Sequence, residues 1–293
     1  MNYDHAFHAG NAADVMKHAV LARLLDRLRA KAAPFLVLDS HAGRGRYDLD
    51  SDAAHRTGEA AQGIARLWPR RGDFPELALW LDAIRADEAG RPRDYPGSPA
   101  IAAAALREDD RLVLVEAAEA AAGDLRRLFG RDRRVAIHRR DGWEALGALL
   151  PPRPPAPRRG LVLVDPAFEA PGEHLRLAEA LVRAARRWPA ATLVGWYPVT
   201  GGDGAEALVQ ALETAGVAPI LGLALHLRAA PGPGLKASCL VVVRPPWCFD
   251  EEMADLMPRL ADAIGLPRSA ARVDWIVRER SGEDGDGDGA DEN

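Results

Sequence analysis

The stretch "ILGLALHLRAAPGPGLKASCLVVV", residues 220–243, decides the fold. Two apolar runs, "ILGLALHL" (220–227) and "SCLVVV" (238–243), are separated only by "RAAPGPGLKA". A parallel crossover needs a dozen or more residues and usually a helix, whereas a short segment rich in Pro and Gly suits a hairpin. These runs are therefore expected to pair antiparallel.

Upstream, five further runs read as strands: "FLVLD" (35–39), "RLVLVE" (111–116), "RVAIHRRD" (134–141), "LVLVDP" (161–166) and "TLVGWYP" (192–198). Most are continuously apolar and alternate with helical stretches, which indicates a parallel sheet covered on both faces. Five parallel strands followed by an antiparallel hairpin is the element order of a Rossmann-like class I S-adenosylmethionine (AdoMet) methyltransferase. An ordinary dinucleotide-binding fold does not end in such a pair. The expected fold is thus α/β, with a seven-stranded, mostly parallel sheet and a terminal antiparallel hairpin.

About fifty residues separate "LDSHAGRG" from "YPGSP", with helical patterns of their own in "TGEAAQGIARLW" and "PELALWLDAIRADEAG". So long a connection is read as a functional insertion. Residues 1–45 and 97–280 are assigned to the methyltransferase domain and 46–96 to a small helical subdomain. The segment "PPRPPAPRRG" (151–160) is read as a proline-stiffened linker.

The 293 residues are 48% apolar, enough for a sizeable core, with a net charge of −5. The tail "SGEDGDGDGADEN" from residue 281 holds six acids and no base, so residues 1–280 carry 38 basic against 37 acidic residues. That near-neutral, arginine-rich body is compatible with a nucleic-acid partner. The tail, 281–293, is expected to be disordered. No run approaches the roughly 18–20 apolar residues of a membrane span, and the start lacks the pattern of a secretion signal, so a cytoplasmic protein without a membrane partner is expected. Cys239 and Cys248 form no disulfide framework. No apolar stripe lacks a core role, so a monomer with no obligate protein partner is expected.

In open parallel sheets ligands bind beyond the carboxyl ends of the strands. Asp39, Gly43 and Gly45 follow the first strand as a glycine loop that lets backbone approach a ligand. Glu116 ends the second strand, where an acid can accept from ribose hydroxyls. Asp141-Gly142 ends the third, where a carboxylate can accept from an adenine amine, and Asp165 ends the fourth. Asn11 reads as an N-cap with Asp14 three residues on, and the helix runs to about Lys31. Its apolar stripe, Leu21, Leu24, Leu25 and Leu28, continues backwards onto Lys17 and His18. A helix antiparallel to the strand it feeds begins at that strand's carboxyl end, so Lys17, His18 and His41 should converge on the ligand edge. His5 and His8 have metal-like spacing but no third ligand, and no metal site is expected. A hydrolase elbow, G-x-S-x-G, is absent.

"HAFHAGNAADVMKH", "LDSHAGRGRYDL", "TGEAAQGIARLW", "YPGSP", "LVLVDPAFE", "WYPV" and "RPPW" resemble, in order and spacing, the RlmJ family of 23S rRNA adenine-N6 methyltransferases, over roughly residues 3–278. The resemblance implies AdoMet as donor and adenine 2030 of 23S rRNA, in the family's naming, as acceptor, in free or early-assembly rRNA. It implies that His18, His41, Ser98 and Glu116 contact the cofactor, although Glu116 stands in "VEAAE" where the family commonly has "ELH". Asp141 and Gly142 would flank its adenine ring. Asp165 matches the catalytic aspartate, and Tyr3 the aromatic that closes over cofactor or substrate.

In the implied mechanism, the Asp165 carboxylate and the Pro166 carbonyl accept the two N6 hydrogens of adenine, while Phe168 stacks on the unpaired base. The usual motif has a second proline where this chain has Ala167, which removes a φ restraint. "RPPW" (244–247) has arginine in place of the acceptor and is read as a structural turn. Two alternatives carry the same motifs: a non-catalytic AdoMet-fold protein that binds RNA, and a DNA N6-adenine methyltransferase.

Overall fold

The computed structural model describes residues 4–227 and 234–279. Tyr3, most of the hairpin loop and the acidic tail lie outside the described residues.

The strands of the central sheet are β1 (Phe35–Asp39), β5 (Arg111–Val115), β6 (Val135–His138), β7 (Arg159–Val164), β8 (Ala191–Val199), β9 (Ile220–His226), β10 (Ala237–Val243) and β11 (Ala271–Val277). They lie in the order β11-β9-β10-β8-β7-β1-β5-β6. From β6 to β8 all pairs are parallel, while β10 is antiparallel to both β8 and β9. The expected hairpin is present, with its second strand lying inside the first.

Among the described residues the sheet has eight strands, one more than the seven expected. "ARVDWIV" pairs antiparallel with β9 as β11. Its apolar residues alternate with Arg272 and Asp274, the pattern of a half-exposed edge strand, whereas the sequence reading relied on continuous apolar runs.

Three further strands, β2 (Arg46–Asp48), β3 (Arg85–Ala86) and β4 (Pro92–Pro96), form a separate antiparallel sheet in the order β2-β4-β3. Segment 46–96 is therefore not purely helical, since these strands accompany the short helices α2 (Asp52–Thr57), α3 (Ile64–Leu67) and α4 (Ala78–Leu81). Tyr47 and Tyr95 pair across β2 and β4, and both are buried. Phe74, Leu77 and Trp80 join the same core cluster as Met16, Val20 and Leu24.

That cluster covers one face of the central sheet. It is built around α1 (Ala12–Arg29), α5 (Ser98–Ala105), Leu125 of α6 (Glu119–Phe129) and α10 (Phe249–Ala263). Asn11 caps α1 by accepting from Asp14 N at 2.8 Å, and Arg27 and Arg29 complement the dipole in its last turn. The helix closes at Arg29, two residues before the expected end. The opposite face is covered by α7 (Gly142–Leu149), α8 (Glu173–Arg187) and α9 (Gly204–Glu213). In α8, Leu177, Leu181, Ala184 and Ala185 are buried while Arg183, Arg186 and Arg187 face solvent, as an amphipathic helix on a sheet requires.

Candidate active site

The carboxyl ends of β1, β5 and β7 are level. Asp39 stands opposite Leu114 on one side and Leu163 on the other. Ser40 N donates to Leu163 O at 3.0 Å and Ala42 N to Val115 O at 2.9 Å, so the turn after β1 is tied to both neighbours. Glu116 and Asp165 follow directly on this edge.

Helix α1 starts at the same edge. Lys17 Nζ donates to Asp165 Oδ2 at 2.6 Å and lies 2.9 Å from Asp14 Oδ1. Asp14, nearly inaccessible, also accepts from His5 Nε2 at 2.8 Å and from Gly10 N at 2.9 Å. Burial would raise the Asp14 pKa, but its neighbours, His5 and Lys17 foremost, hold it well below the usual carboxylate range. A chain of polar contacts thus runs from His5 through Asp14 and Lys17 to Asp165. Charge-assisted bonds of this length fix the Asp165 carboxylate in one orientation.

Around the β1 turn the polar groups are strongly desolvated. Ser98 Oγ, in the first turn of α5, donates to Asp39 Oδ2 at 2.7 Å. Burial nevertheless pushes the Asp39 carboxyl up to about 7, with the Asp165 charge adding to the effect. His41 is held down to about 4 by burial and is neutral at physiological pH. Its Nδ1 is 2.9 Å from Ser40 Oγ, and its ring meets Trp143 edge to face at 5.1 Å.

Two glycines open this turn. A Cβ on Gly142 would lie 2.1 Å from Ser40 O and 2.8 Å from the His41 ring, so the β1 turn and the start of α7 approach each other only because Gly142 has no side chain. Gly43 has φ +64, and a Cβ there would stand 2.4 Å from Tyr47 Oη. Its N–H donates to Glu116 Oε2 at 2.8 Å, while Ala118 N donates to the other oxygen at 2.7 Å. Both oxygens of Glu116 are thereby oriented, and each retains a second lone pair for a ligand hydroxyl.

The expected site residues fall into three groups. Lys17, His41, Gly43, Glu116, Gly142 and Asp165 meet at the strand ends, with Ser98 joined to them through Asp39. His18 lies one layer below. It is 1% exposed, 2.8 Å from Tyr95 Oη and edge-on to Trp80, and burial holds its pKa down to about 3. Asp141 is exposed and serves as the N-cap of α7, accepting from Glu144 N at 2.9 Å. The strand before it stops at His138, three residues short of the expected end.

Pro166 is buried behind Asp165, and Phe168 has φ +52. An aromatic residue in the left-handed region is strained, and such strain concentrates at functional sites. The conformation turns the Phe168 ring toward His174 and Trp196, at centroid distances of 4.8 and 5.7 Å. His174 Nε2 bonds Pro198 O at 3.0 Å, and the Lys17 ammonium lies 5.9 Å from the Trp196 ring centroid. By contrast, "RPPW" follows β10 at the opposite edge, where Thr192 Oγ1 donates to Arg244 O.

Sequence reasoning missed several participants. Asp14 sits at i−3 from Lys17 on the same face of α1, a signal that was available. Glu59 accepts from His8 Nδ1 at 3.0 Å and from Asn11 Nδ2 at 2.9 Å, while Ile64 N donates to Gly10 O. The motif "TGEAAQGI" of the insertion therefore holds the segment leading into α1. Nothing in the local sequence announces that contact.

This strand order, with acids aligned at the carboxyl ends and a glycine-opened turn between them, defines a class I methyltransferase fold. The family profile "Ribosomal RNA large subunit methyltransferase D, RlmJ" matches residues 32–277, and the chain belongs to that family. It is 38% identical to "Ribosomal RNA large subunit methyltransferase J" of Escherichia coli (strain K12), over 95% of this chain and 100% of that one. The protein of the same name from Haemophilus influenzae is 36% identical with the same coverage. The crystal structure of protein LPL1258 from Legionella pneumophila matches at TM-score 0.82 and 29% identity, covering 94% of this chain and 99% of that one.

Proposed function

We propose that this chain methylates the exocyclic N6 of an adenine in 23S rRNA, with adenine 2030 in the family's naming as the target. By its family, the chain is an rRNA methyltransferase that uses AdoMet. In this reading residues 1–45 and 97–280 form the methyltransferase domain and 46–96 an insertion.

The residues of the strand edge suit AdoMet. Glu116 would accept from ribose hydroxyls, Gly43 and Gly142 leave room for close approach, and His41 presents a neutral ring beside them. When bound, AdoMet supplies an electrophilic methyl group on a sulfonium.

The adenine amine is a poor nucleophile because its lone pair is delocalised into the ring. Asp165 and the Pro166 carbonyl would each accept one N6 hydrogen, which turns the lone pair out of the base plane. As the new C–N bond forms and the methyl–sulfur bond breaks, leaving a neutral thioether, the nitrogen becomes cationic and must lose a proton, for which the Asp165 carboxylate would be the acceptor in contact. Lys17 would hold that carboxylate in place. Phe168 offers the stacking face for a base presented unpaired, which favours free or early-assembly rRNA over buried rRNA. Among the described residues no helix is long and apolar enough to cross a membrane. An rRNA substrate assigns the proposed activity to the cytoplasm.

The observation that carries this reading is the Lys17–Asp165 bond, which fixes an acceptor beside a strained aromatic at the end of the fourth parallel strand. Unmodified 23S rRNA incubated with labelled AdoMet should yield N6-methyladenine, and Asp165→Asn should abolish it. Equal transfer by both proteins, or a methyl group on another atom, defeats the proposal; better transfer into DNA would reassign the substrate.

A further inference from the structure

Charge is distributed unevenly along the chain. Residues 126–187 contain fourteen arginines against seven acids, a net of +7 in a protein whose overall charge is −5. Part of that excess lines a groove between α7 and α8, about 420 Å³ in volume, whose floor includes Leu146, Gly147, Ala180 and Ala184. Small residues keep the floor low. Arg183 and Arg187 line it from α8, and Trp143 lines it from α7.

Trp143 connects the groove to the active-site edge. One side of its indole meets His41, and the Arg176 guanidinium stacks on the ring at 4.8 Å. Arg176, Arg183 and Arg187 follow i, i+7, i+11 spacing, so they occupy one face of α8 over about 16 Å. The row begins near the loop that carries Asp165 and Phe168 and leads away from it. Glu144 lines the groove and pairs with Arg140 at 3.8 Å, and Glu179, one turn before Arg183 on α8, pairs with it at 3.4 Å. Exposed pairs of this kind are weak and yield readily to a phosphate.

We propose that the α7–α8 groove binds the ribose-phosphate strand flanking the target adenine, with Arg176 and Arg183 as phosphate contacts. The inference rests on the proposed RNA substrate and names the face on which that RNA lies. An arginine row of this kind positions the strand without reading its sequence.

The test uses the full-length protein and a fluorescein-labelled single-stranded RNA of about 15 nucleotides, long enough to span the row. Arg176→Glu/Arg183→Glu should weaken RNA binding about tenfold or more and make the dependence of log K on log salt shallower by about 1.4, or 0.7 per lost contact. Arg183→Glu alone, at a side chain 65% exposed, should show part of the loss with unchanged thermal stability and AdoMet affinity. Arg272→Glu, on β11, makes the same charge change away from the groove and should bind nearly as well as wild type. A wild-type protein that does not bind RNA, or a double variant that binds as well as Arg272→Glu, overturns the proposal. RNA that binds through the groove but is never methylated would leave the proposal standing and remove the proposed activity. Methylation with groove-independent binding would do the reverse.

Discussion

Lys17 Nζ lies 2.6 Å from Asp165 Oδ2, and this pair joins the first helix of the chain to the loop after β7. Because Lys17 is also bound to Asp14, its ammonium cannot follow Asp165 if the loop moves. The carboxylate is thus held from one side by a residue itself anchored in a buried network. Lys17→Met should lower kcat for rRNA methylation about 100-fold, the range seen when a preorganised electrostatic partner is removed. AdoMet affinity, measured by calorimetry, should change much less. A variant with normal kcat would refute the positioning role.

Asp39 gives a pH signature. Its folded pKa, about 7, lies above the unfolded value of 3.8. A raised carboxyl contributes stability that is complete below about pH 4 and is lost as pH rises through 7. Asp39→Asn does not titrate, so its stability relative to wild type should rise between pH 5 and pH 7 by up to about 1.4 kcal/mol per pH unit. His18 and His41 titrate in both proteins and cancel in the comparison. Parallel melting curves for the two proteins across this range would rule out the assignment.

Gly142→Ala places a methyl group where Ser40 O and the His41 ring now stand. The β1 turn and α7 must separate, which should cost about 1–3 kcal/mol of stability. It should also displace His41, so AdoMet affinity should fall about tenfold or more. A variant that binds AdoMet like wild type would show that the close approach has no bearing on the cofactor site.

Glu59→Ala releases His8 and the Asn11 carboxamide together. Asn11 then caps α1 with a less constrained side chain. The glutamate is partly exposed, so the expected loss is about 1 kcal/mol, or 2–4 °C in melting temperature. Proteolysis should also be faster before residue 12. An unchanged melting temperature and cleavage pattern would contradict the anchoring role of the insertion.

Much of the architecture was legible because burial leaves a plain mark on sequence. Continuous apolar runs identify strands covered on both faces, and the short Pro- and Gly-rich link at 228–237 identifies the antiparallel pair. The same rule hid β11, since Arg272 and Asp274 interrupt its apolar pattern at the sheet edge. Placing Lys17 at the strand ends followed from helix direction alone. The depth of His18 did not, because it depends on Tyr95 and Trp80, which arrive from the insertion. Likewise Asp141 reads equally well as a strand end and as a helix cap, and only the length of β6 separates the two.

The eighth strand also bears on how the chain is made. Until β11 is in place, the outer backbone groups of β9 form an open ladder able to pair with another chain. Synthesis proceeds from the amino terminus, so the residues of β9 and β10 are made before those of β11. A chain released before Ala271 would keep that edge permanently. Strand β11 exchanges the apolar β9 edge for one carrying Arg272 and Asp274, charges that oppose sheet-to-sheet association.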